Sequence, residues 1–276
     1  MFGVFILSMP GITCTTKRVV NTPQGYDITK PEKTELGNKL REISGIAWVN
    51  ENTMLAENDE AGKIFTINLD NKSDVSYPSM VFGPKDDYED IVIKDTLAYL
   101  LISDGEIAEV SNYSKGGDVQ GTIVASLGGD KNELESLYYD KDINSLIMLC
   151  KSCHHEKNRV RSAYRFDLAT RKLSNTPYFN IDIGEIRKIL GDDRAEFYPS
   201  AAAIHPLQHK LYIVSSIGKL LVITDTMGKV ENVFRLSSSL FPQPEGITFA
   251  PDGDMYISNE SKDDKATLLK FTYTND

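Results

Sequence analysis

The chain has 276 residues, of which 41% are hydrophobic and 25% are charged, with 30 Lys and Arg against 40 Asp and Glu. This composition is that of an ordinary globular chain, and it excludes a disordered, collagen-like or multi-span membrane protein. The net charge of −10 opposes the phosphate attraction on which nucleic-acid binding depends. We therefore expect neither nucleic acid nor an anionic membrane surface as a partner. The length suits two domains or one large closed β architecture.

Residues 1–16 form a signal-like segment. Residues 1–14 are strongly apolar, yet too short to span a bilayer, which needs about 20 residues. They match the apolar core of a secretory signal, without its positively charged start. Cys14 at the end of the stretch suggests lipidation, although Gly11 and Thr13 depart from the usual lipoprotein pattern. We expect an exported protein, periplasmic or on the outer surface, with a lipid anchor at Cys14 as its one route to a membrane. The alternative is a frayed N-terminus or a first buried strand.

One pattern recurs five times along the rest of the chain. Each copy has a small or acidic residue, an apolar run, a polar turn and a second apolar strand. The copies begin at Ser44, Glu89, Glu135, Ser200 and Glu245, which are 45, 46, 65 and 45 residues apart. Asn, Asp and Gly in the intervening turns favour tight hairpins. Three or four short strands in a unit of about 45 residues are typical of a β-propeller blade.

The repeat predicts an all-β, six-bladed propeller with four-stranded blades, formed as a single domain by residues 17–276. Five blades are visible as repeats, and residues 17–43, with the segments between repeats, leave material for a sixth. The full length divided by a repeat of about 46 also gives six units. Residues 25–28 are expected to help close the ring, which removes exposed strand edges.

The segment before the fourth repeat predicts a short helix. Ile183, Ile186 and Ile189 fall at helical spacing, and Asp182 precedes them as an N-cap residue. We expect this helix to pack on the rim of the propeller.

The cysteines and histidines give weaker signals. Cys150 and Cys153 are followed by His154 in the C-x-x-C-H string of c-type haem attachment. The charged residues 156–161 that follow suggest a solvated run instead of an apolar pocket, so haem is not expected. The pair is left as a disulfide or redox pair, a metal-binding pair, or two plain cysteines at a loop. His205 and His209 are predicted to be surface turn residues.

Three phrases resemble a known family. They are Glu42-Ile-Ser-Gly-Ile46, residues 198–206, and residues 241–260 with their Pro-Gln-Pro-Glu-Gly-Ile string. Together they resemble the SdiA-regulated domain family, also called YjiK-like, and especially its short secreted or lipoprotein members in the Bacteroidetes. The resemblance implies a six-bladed propeller of the cell envelope whose biochemical role is uncharacterised. The sequence departs from the family pattern at Asp90, where members tend to keep Gly, and at residues 201–202, where they keep Gly-Ile.

The repeats place three carboxylates in one structural column. Superposing the copies puts Glu89, Glu135 and Glu245 at the start of the innermost strand of their blades, where they would meet at one mouth of the axial channel. Carboxylates at close quarters repel unless a cation lies among them, and oxygen ligands suit Ca²⁺. The alternative is that each Glu hydrogen-bonds backbone N–H groups of the neighbouring blade. Further candidates at this mouth are Ser44, Asn58, Asp104, Ser200, Asn259 and Glu260.

The sequence leaves two main functions open and assigns no catalytic residue. The first is a monomeric, non-enzymatic cell-envelope propeller that binds a small molecule, glycan or protein, with Ca²⁺ at the channel mouth. The alternative is a metal-dependent lactonase or esterase of the gluconolactonase-like kind, in which a divalent ion polarises a carbonyl. Redox work at Cys150 and Cys153 is a third interpretation.

Overall fold

The computed structural model describes residues 22–58, 60–70, 78–113, 117–128, 131–261 and 265–275. The predicted N-terminal segment, including Cys14, lies outside these residues. Those described form five antiparallel sheets and one short α-helix, with a single turn of 3-10 helix at Asn38–Leu40. The structure is therefore a five-bladed β-propeller, and the prediction of an all-β propeller is right in class but wrong in the number of blades.

The blades follow one another along the chain after an N-terminal strand, β1 (Glu32–Glu35). Blade 1 contains β2 (Ile43–Asn50), β3 (Thr53–Asn58), β4 (Ala61–Asn68) and β5 (Ser79–Val81). Blade 2 contains β6 (Tyr88–Lys94), β7 (Leu97–Ile102), β8 (Glu106–Ser111) and β9 (Thr122–Ser126). Blade 3 contains β10 (Asn132–Asp140), β11 (Ser145–Cys153), β12 (Val160–Asp167), β13 (Lys172–Leu173) and β14 (Phe179–Asp182). Blade 4 contains β15 (Ala201–Ile204), β16 (Leu211–Ser215), β17 (Leu220–Thr224) and β18 (Val230–Arg235). Blade 5 contains β19 (Pro244–Phe249), β20 (Met255–Asn259) and β21 (Thr267–Phe271).

The N-terminal strand closes the ring. β1 pairs antiparallel with β21 as the fourth strand of blade 5, and the first strands of the five blades contact one another in ring order, with β19 returning to β2. Residues 25–28, predicted to help in closure, form turns, and Tyr26 and Ile28 are buried against blades 4 and 5. The chain therefore closes with a strand a few residues later than predicted.

Two segments explain why the described residues form five blades instead of six. The first is residues 32–35, which serve blade 5 instead of starting a sheet of their own. The second is the 65-residue interval between the third and fourth repeats. It holds an enlarged outer part of blade 3, in which β13 and β14 both pair with β12, and the helix that follows. Dividing the whole length by the repeat counted these insertions as a blade.

Each pair of neighbouring blades is held by its own hydrophobic cluster. β16 shows how one strand serves two clusters. Leu211 and Ile213 pack toward blade 3, whereas Tyr212 and Val214 pack toward blade 5. Successive side chains of a strand point to opposite faces, so a strand of apolar residues buries both faces of its blade only because blades stack around the axis.

The predicted helix is confirmed as α1 (Ile183–Leu190). The Asp182 side chain accepts a hydrogen bond from Gly184 N at 2.7 Å, as an N-cap does, and Gly191 ends the helix in the left-handed conformation. Ile183 and Ile186 are buried between blades 3 and 4. In the part of the chain that the structure describes, no helix is long and apolar enough to cross a membrane.

Candidate functional site

Three β-bulges position the recurrent glutamates. In β6, β10 and β19 the strand register shifts by one residue at Glu89, Glu135 and Glu245, so that each glutamate is the extra residue of its strand. A bulge interrupts the alternation of side chains and re-aims the extra residue. Because all three bulges lie at the starts of innermost strands, the glutamates are presented at the same end of the axial channel.

The charges of the three carboxyls interact. Burial raises the pKa of Glu89, and the charge of Glu135 raises it further. Burial also raises the pKa of Glu135, and Glu245 adds to it. Burial raises the pKa of Glu245 to about 7, against a hydrogen bond with Ser216 that lowers it. Three partly buried acids that resist ionisation form a site in which added positive charge is stabilised.

Lys151 is a cation already among these acids. It is the extra residue of a bulge in β11, opposite the bulge that presents Glu135. Its Nζ lies 3.0 Å from an oxygen of Glu133 and donates a short hydrogen bond to Glu135 Oε1. Burial lowers the pKa of Lys151, but Glu135 and Glu133 outweigh this and raise the pKa overall. We call Glu89, Glu135, Glu245 and Lys151 the acidic mouth.

A disulfide bond brackets this lysine. Cys150 and Cys153 are joined, with their Cα atoms 5.8 Å apart, and Lys151 lies in the loop that the bond closes. Both sulfurs are therefore committed to each other. Among the described residues, Cys150, Cys153 and Glu156 form the one group of three or more potential metal ligands whose ligand atoms all lie within 4.8 Å of one another. The three recurrent glutamates lie farther apart than this.

A buried ion pair supports the disulfide loop. Glu156 Oε2 accepts hydrogen bonds from Cys153 N at 3.1 Å and from an Arg161 NH group at 3.3 Å, while Oε1 accepts one from Ser162 N at 2.6 Å. Arg161 is 1% exposed and also donates to Phe197 O at 2.9 Å. The prediction that residues 156–161 form a solvated run is thus wrong at its two ends, because these charges satisfy each other and the backbone.

Asp90, the residue after Glu89, joins two blades. Its Oδ2 accepts a hydrogen bond from Leu137 N of blade 3 at 2.8 Å, and its Oδ1 accepts one from Ile91 N at 2.8 Å. Blade 1 approaches closely on the other side, where a Cβ on Gly45 would lie 2.6 Å from Asp90 Cα. Asp90 therefore has a structural role at the interface between blades 2 and 3.

Two serines join other blades without charge. Ser200 Oγ donates to Pro244 O of blade 5 at 2.7 Å, and Ser258 Oγ donates to Ser44 O of blade 1 at 3.0 Å. These two serines therefore join neighbouring blades through backbone oxygens, whereas Asp90 does so through a backbone N–H group. Ser44 and Ser200 are buried, with exposures of 7% and 2%.

The remaining predicted candidates are Glu260, Asn259, Asn58 and Asp104, and their surroundings differ. Glu260 lies beside the acidic mouth, since its charge adds to the pKa of Glu245, and it accepts a short hydrogen bond from Gln243. Asn259 is 1% exposed and donates to Thr267 Oγ1 at 3.2 Å. Asn58 is half-buried at the end of β3. Asp104 is exposed, and its carboxylate accepts from Glu106 N within its own turn at 3.1 Å.

Sequence reasoning missed Lys151 and Glu57. Glu57 is fully buried, accepts a hydrogen bond from Gly45 N at 2.6 Å, and its charge contributes to the raised pKa of Glu89. It directly precedes Asn58, which was predicted. Lys151 has no equivalent in the other repeats, so superposing them could not find it. The one available signal was its position between two cysteines.

The prediction for His205 is wrong, whereas His209 is exposed in a turn as predicted. His205 has no exposed surface, and burial lowers its pKa to about 4. Its Nε2 lies 2.7 Å from the Tyr26 hydroxyl, and its Nδ1 accepts from Leu207 N and Gln208 N, each at 3.1 Å. His205 is thus a neutral structural residue that connects Tyr26, which precedes β1, to blade 4.

Fold and site together define a five-bladed β-propeller with an acidic mouth on its axis. No protein-family model and no curated protein matches the sequence. Among solved structures, a Bacteroides thetaiotaomicron protein of unknown function is similar, with a TM-score of 0.53 and 16% identity over 79% of this chain and 52% of its own. This chain thus spans about half the length of that protein, and the likeness supports the fold alone.

Two lyases are more distant. A streptogramin B lyase gives a TM-score of 0.49 with 11% identity, over 88% of this chain and 98% of the lyase. A virginiamycin B lyase from Staphylococcus aureus gives 0.46 with 14% identity, over 87% of this chain and 73% of the lyase. Similarities at this level carry no argument about the activity of this chain.

Proposed function

We propose that this protein is a non-enzymatic binding propeller whose acidic mouth takes a small ligand carrying an amine or a comparable set of hydrogen-bond donors. One observation carries the proposal: Glu89, Glu135 and Glu245 come from three separate blades, yet burial raises the pKa values of all three, and in each case the charge of a nearby glutamate adds to the increase. A cationic group placed among them relieves the repulsion between the carboxyls. Two lysines already interact with these acids, Lys151 with Glu135 and Lys219 with Glu245.

The spacing of the carboxylates favours an organic cation over a metal ion. A bound Ca²⁺ gathers six to eight oxygens at about 2.3–2.6 Å, so it would have to draw the three carboxylates together and displace the ammonium of Lys151. An ammonium ligand needs only single hydrogen bonds, and each of the carboxylates on separate blades can accept one. Calcium is accordingly one arm of the test.

The lactonase alternative depends on the same ion. It requires a divalent cation with an open coordination position and an acid or base within hydrogen-bond reach. A carboxyl such as Glu245, with a pKa of about 7, would suit the acid or base, but the metal ligands would need the rearrangement described above. The binding function does not require the carboxylates to gather around one ion and is therefore preferred.

We further propose that the protein is exported and acts in the cell envelope, as its resemblance to the SdiA-regulated family implies, although its five blades differ from the six that the same resemblance implies. The apolar residues 1–14 support export. A disulfide at Cys150 and Cys153 is typical of proteins that fold in an oxidising compartment. A fractionation experiment that finds the mature protein in the cytoplasm with reduced cysteines would contradict this part of the proposal.

The test compares ligands on purified protein by thermal shift and calorimetry. Putrescine, CaCl₂ and MgCl₂ are titrated separately against the native protein, Glu245→Gln and the control Glu185→Gln, whose side chain is 53% exposed on α1. We expect saturable stabilisation by putrescine that Glu245→Gln weakens and the control keeps. Stabilisation by CaCl₂ alone would favour the metal site. Turnover of a lactone and ester panel that Glu245→Gln abolishes would favour the hydrolase, and no response to any compound would end the proposal.

A further inference from the structure

A cavity of about 190 Å³ lies on the propeller axis away from the acidic mouth. The innermost strands of all five blades line it, through positions that follow the first residue of each repeat along the strand. Its wall includes Trp48, Val92, Tyr139, Ala203, Ile204 and Phe249. The cavity therefore occupies the half of the channel where the innermost strands end, and we call it the strand-end cavity.

The wall of the strand-end cavity combines aromatic side chains with neutral polar groups. Trp48, Tyr139 and Phe249 come from three different blades and are all half-buried. Each innermost strand pairs with a single neighbour, so part of its backbone N–H and C=O groups has no strand partner and faces the axis. Such groups need hydrogen bonds from whatever fills the channel.

Charge is nearly absent from this wall. Of the described residues that line the cavity, Asp90 alone is ionisable apart from the two tyrosines. Both Asp90 oxygens already accept backbone hydrogen bonds, from Ile91 N and Leu137 N. A charged ligand would therefore lose its hydration without gaining an ion pair, and the occupant that matches the wall is neutral.

We propose that the strand-end cavity is a second binding site, for a compact neutral ring molecule with several hydroxyl groups, of the monosaccharide class. The C–H faces of a sugar ring pack on aromatic side chains, and its hydroxyls satisfy the backbone groups of the innermost strands. A cavity of about 150 Å³ holds one benzene ring, so a volume of about 190 Å³ suits one sugar ring. The site is independent of the ligand proposed for the acidic mouth.

Trp48 makes this proposal directly measurable, because it is the single tryptophan of the chain. Its fluorescence is followed while glucose, galactose, mannose and N-acetylglucosamine are titrated separately into the full protein. Sorbitol serves as the open-chain control, since it has the hydroxyls without the ring. We expect a saturable change in Trp48 emission with at least one sugar and none with sorbitol.

Two variants test the location. Ala203→Phe places a ring inside the cavity and should abolish the response, whereas Glu185→Gln on the rim helix should leave it unchanged. If Ala203→Phe fails to fold by circular dichroism, Phe249→Leu decides, because it removes one ring face and should raise the dissociation constant about threefold to tenfold. The proposal is overturned if none of the four sugars changes the emission, if sorbitol acts equally, or if the folded variants respond like the native protein.

Discussion

The two ends of the axial channel are built from the same five strands, but their chemistry is opposite. At the strand starts, bulges turn Glu89, Glu135 and Glu245 toward a shared acidic mouth. Beyond the bulges the strands return to regular alternation, and the wall becomes aromatic and aliphatic. The extra residue at each bulge thus determines whether a carboxylate points into the channel or toward a neighbouring blade. Asp90, one residue after Glu89, points toward a neighbouring blade.

The largest effect is expected at Asp90, which borders both halves. Asp90→Ala removes the acceptor for Leu137 N and leaves a buried donor without a partner, which costs about 2–3 kcal/mol. We expect the free energy of unfolding, measured with urea, to fall by that amount, and both halves of the channel to lose their ligands. Asp90→Asn keeps one acceptor and should lie between the two proteins. An Asp90→Ala protein that unfolds at the native midpoint would show that blades 2 and 3 do not depend on this bond.

Of the two proposed binding sites, the disulfide should affect the acidic mouth alone. Closing a loop of four residues restricts the unfolded chain by about 2 kcal/mol, so Cys150→Ser with Cys153→Ser should lower the free energy of unfolding by about that much. The loop also holds Lys151 against Glu135, so putrescine affinity should change while the Trp48 response to sugars stays constant. Native protein in reductant is the control and should match the double variant. Equal stability with and without reductant would contradict a disulfide in the folded protein.

The serines between blades offer a smaller, charge-free comparison with the glutamates. Ser200→Ala and Ser258→Ala each remove one neutral hydrogen bond to a backbone oxygen of the next blade, worth about 1 kcal/mol. We expect each loss to be the same at pH 5 and pH 9, because no titrating group is removed. A loss that grows with pH would mean that the serines also stabilise the carboxyls of the acidic mouth.

The sequence contained most of the fold because blades repeat. Five copies of one phrase located the five innermost strands, and the spacing of Ile183 and Ile186 after Asp182 located the helix. The blade count was wrong because length does not distinguish a blade from an insertion within one. Only the pairing of β1 with β21 shows that residues 32–35 complete an existing sheet.

The candidate site, too, could be predicted only in part. Superposing repeats identified the glutamates, since equivalent positions of a repeat share a place in the fold. It could not identify Lys151, which occurs in one blade, nor the burial of His205, whose partner Tyr26 is 179 residues away in sequence. Contacts that depend on ring closure bring together residues that no local pattern relates.

The smallest expected effect concerns the pH dependence of stability, and it bears directly on the contrast between the two ends. Burial and the charge of Glu135 raise the pKa of Glu89 above its ordinary value of 4.5. At a pH between 4.5 and this raised pKa, Glu89 is protonated in the folded protein but ionised in the unfolded chain. Stability from this group is therefore greatest below about pH 4.5 and is lost as the pH rises toward the pKa in the folded protein. Glu89→Gln cannot ionise, so its unfolding free energy should fall less steeply between pH 5 and pH 9. Since Glu89 is partly exposed, we expect a gain over the native protein of at most about 1 kcal/mol at pH 9.

Glu185→Gln should follow the native curve, because that carboxylate lies on the exposed rim. If the unfolding free energy of Glu89→Gln instead had the same pH dependence as that of the native protein, ionising Glu89 would cost the folded protein nothing. The acidic mouth would then differ from the strand-end cavity in composition but not in electrostatics.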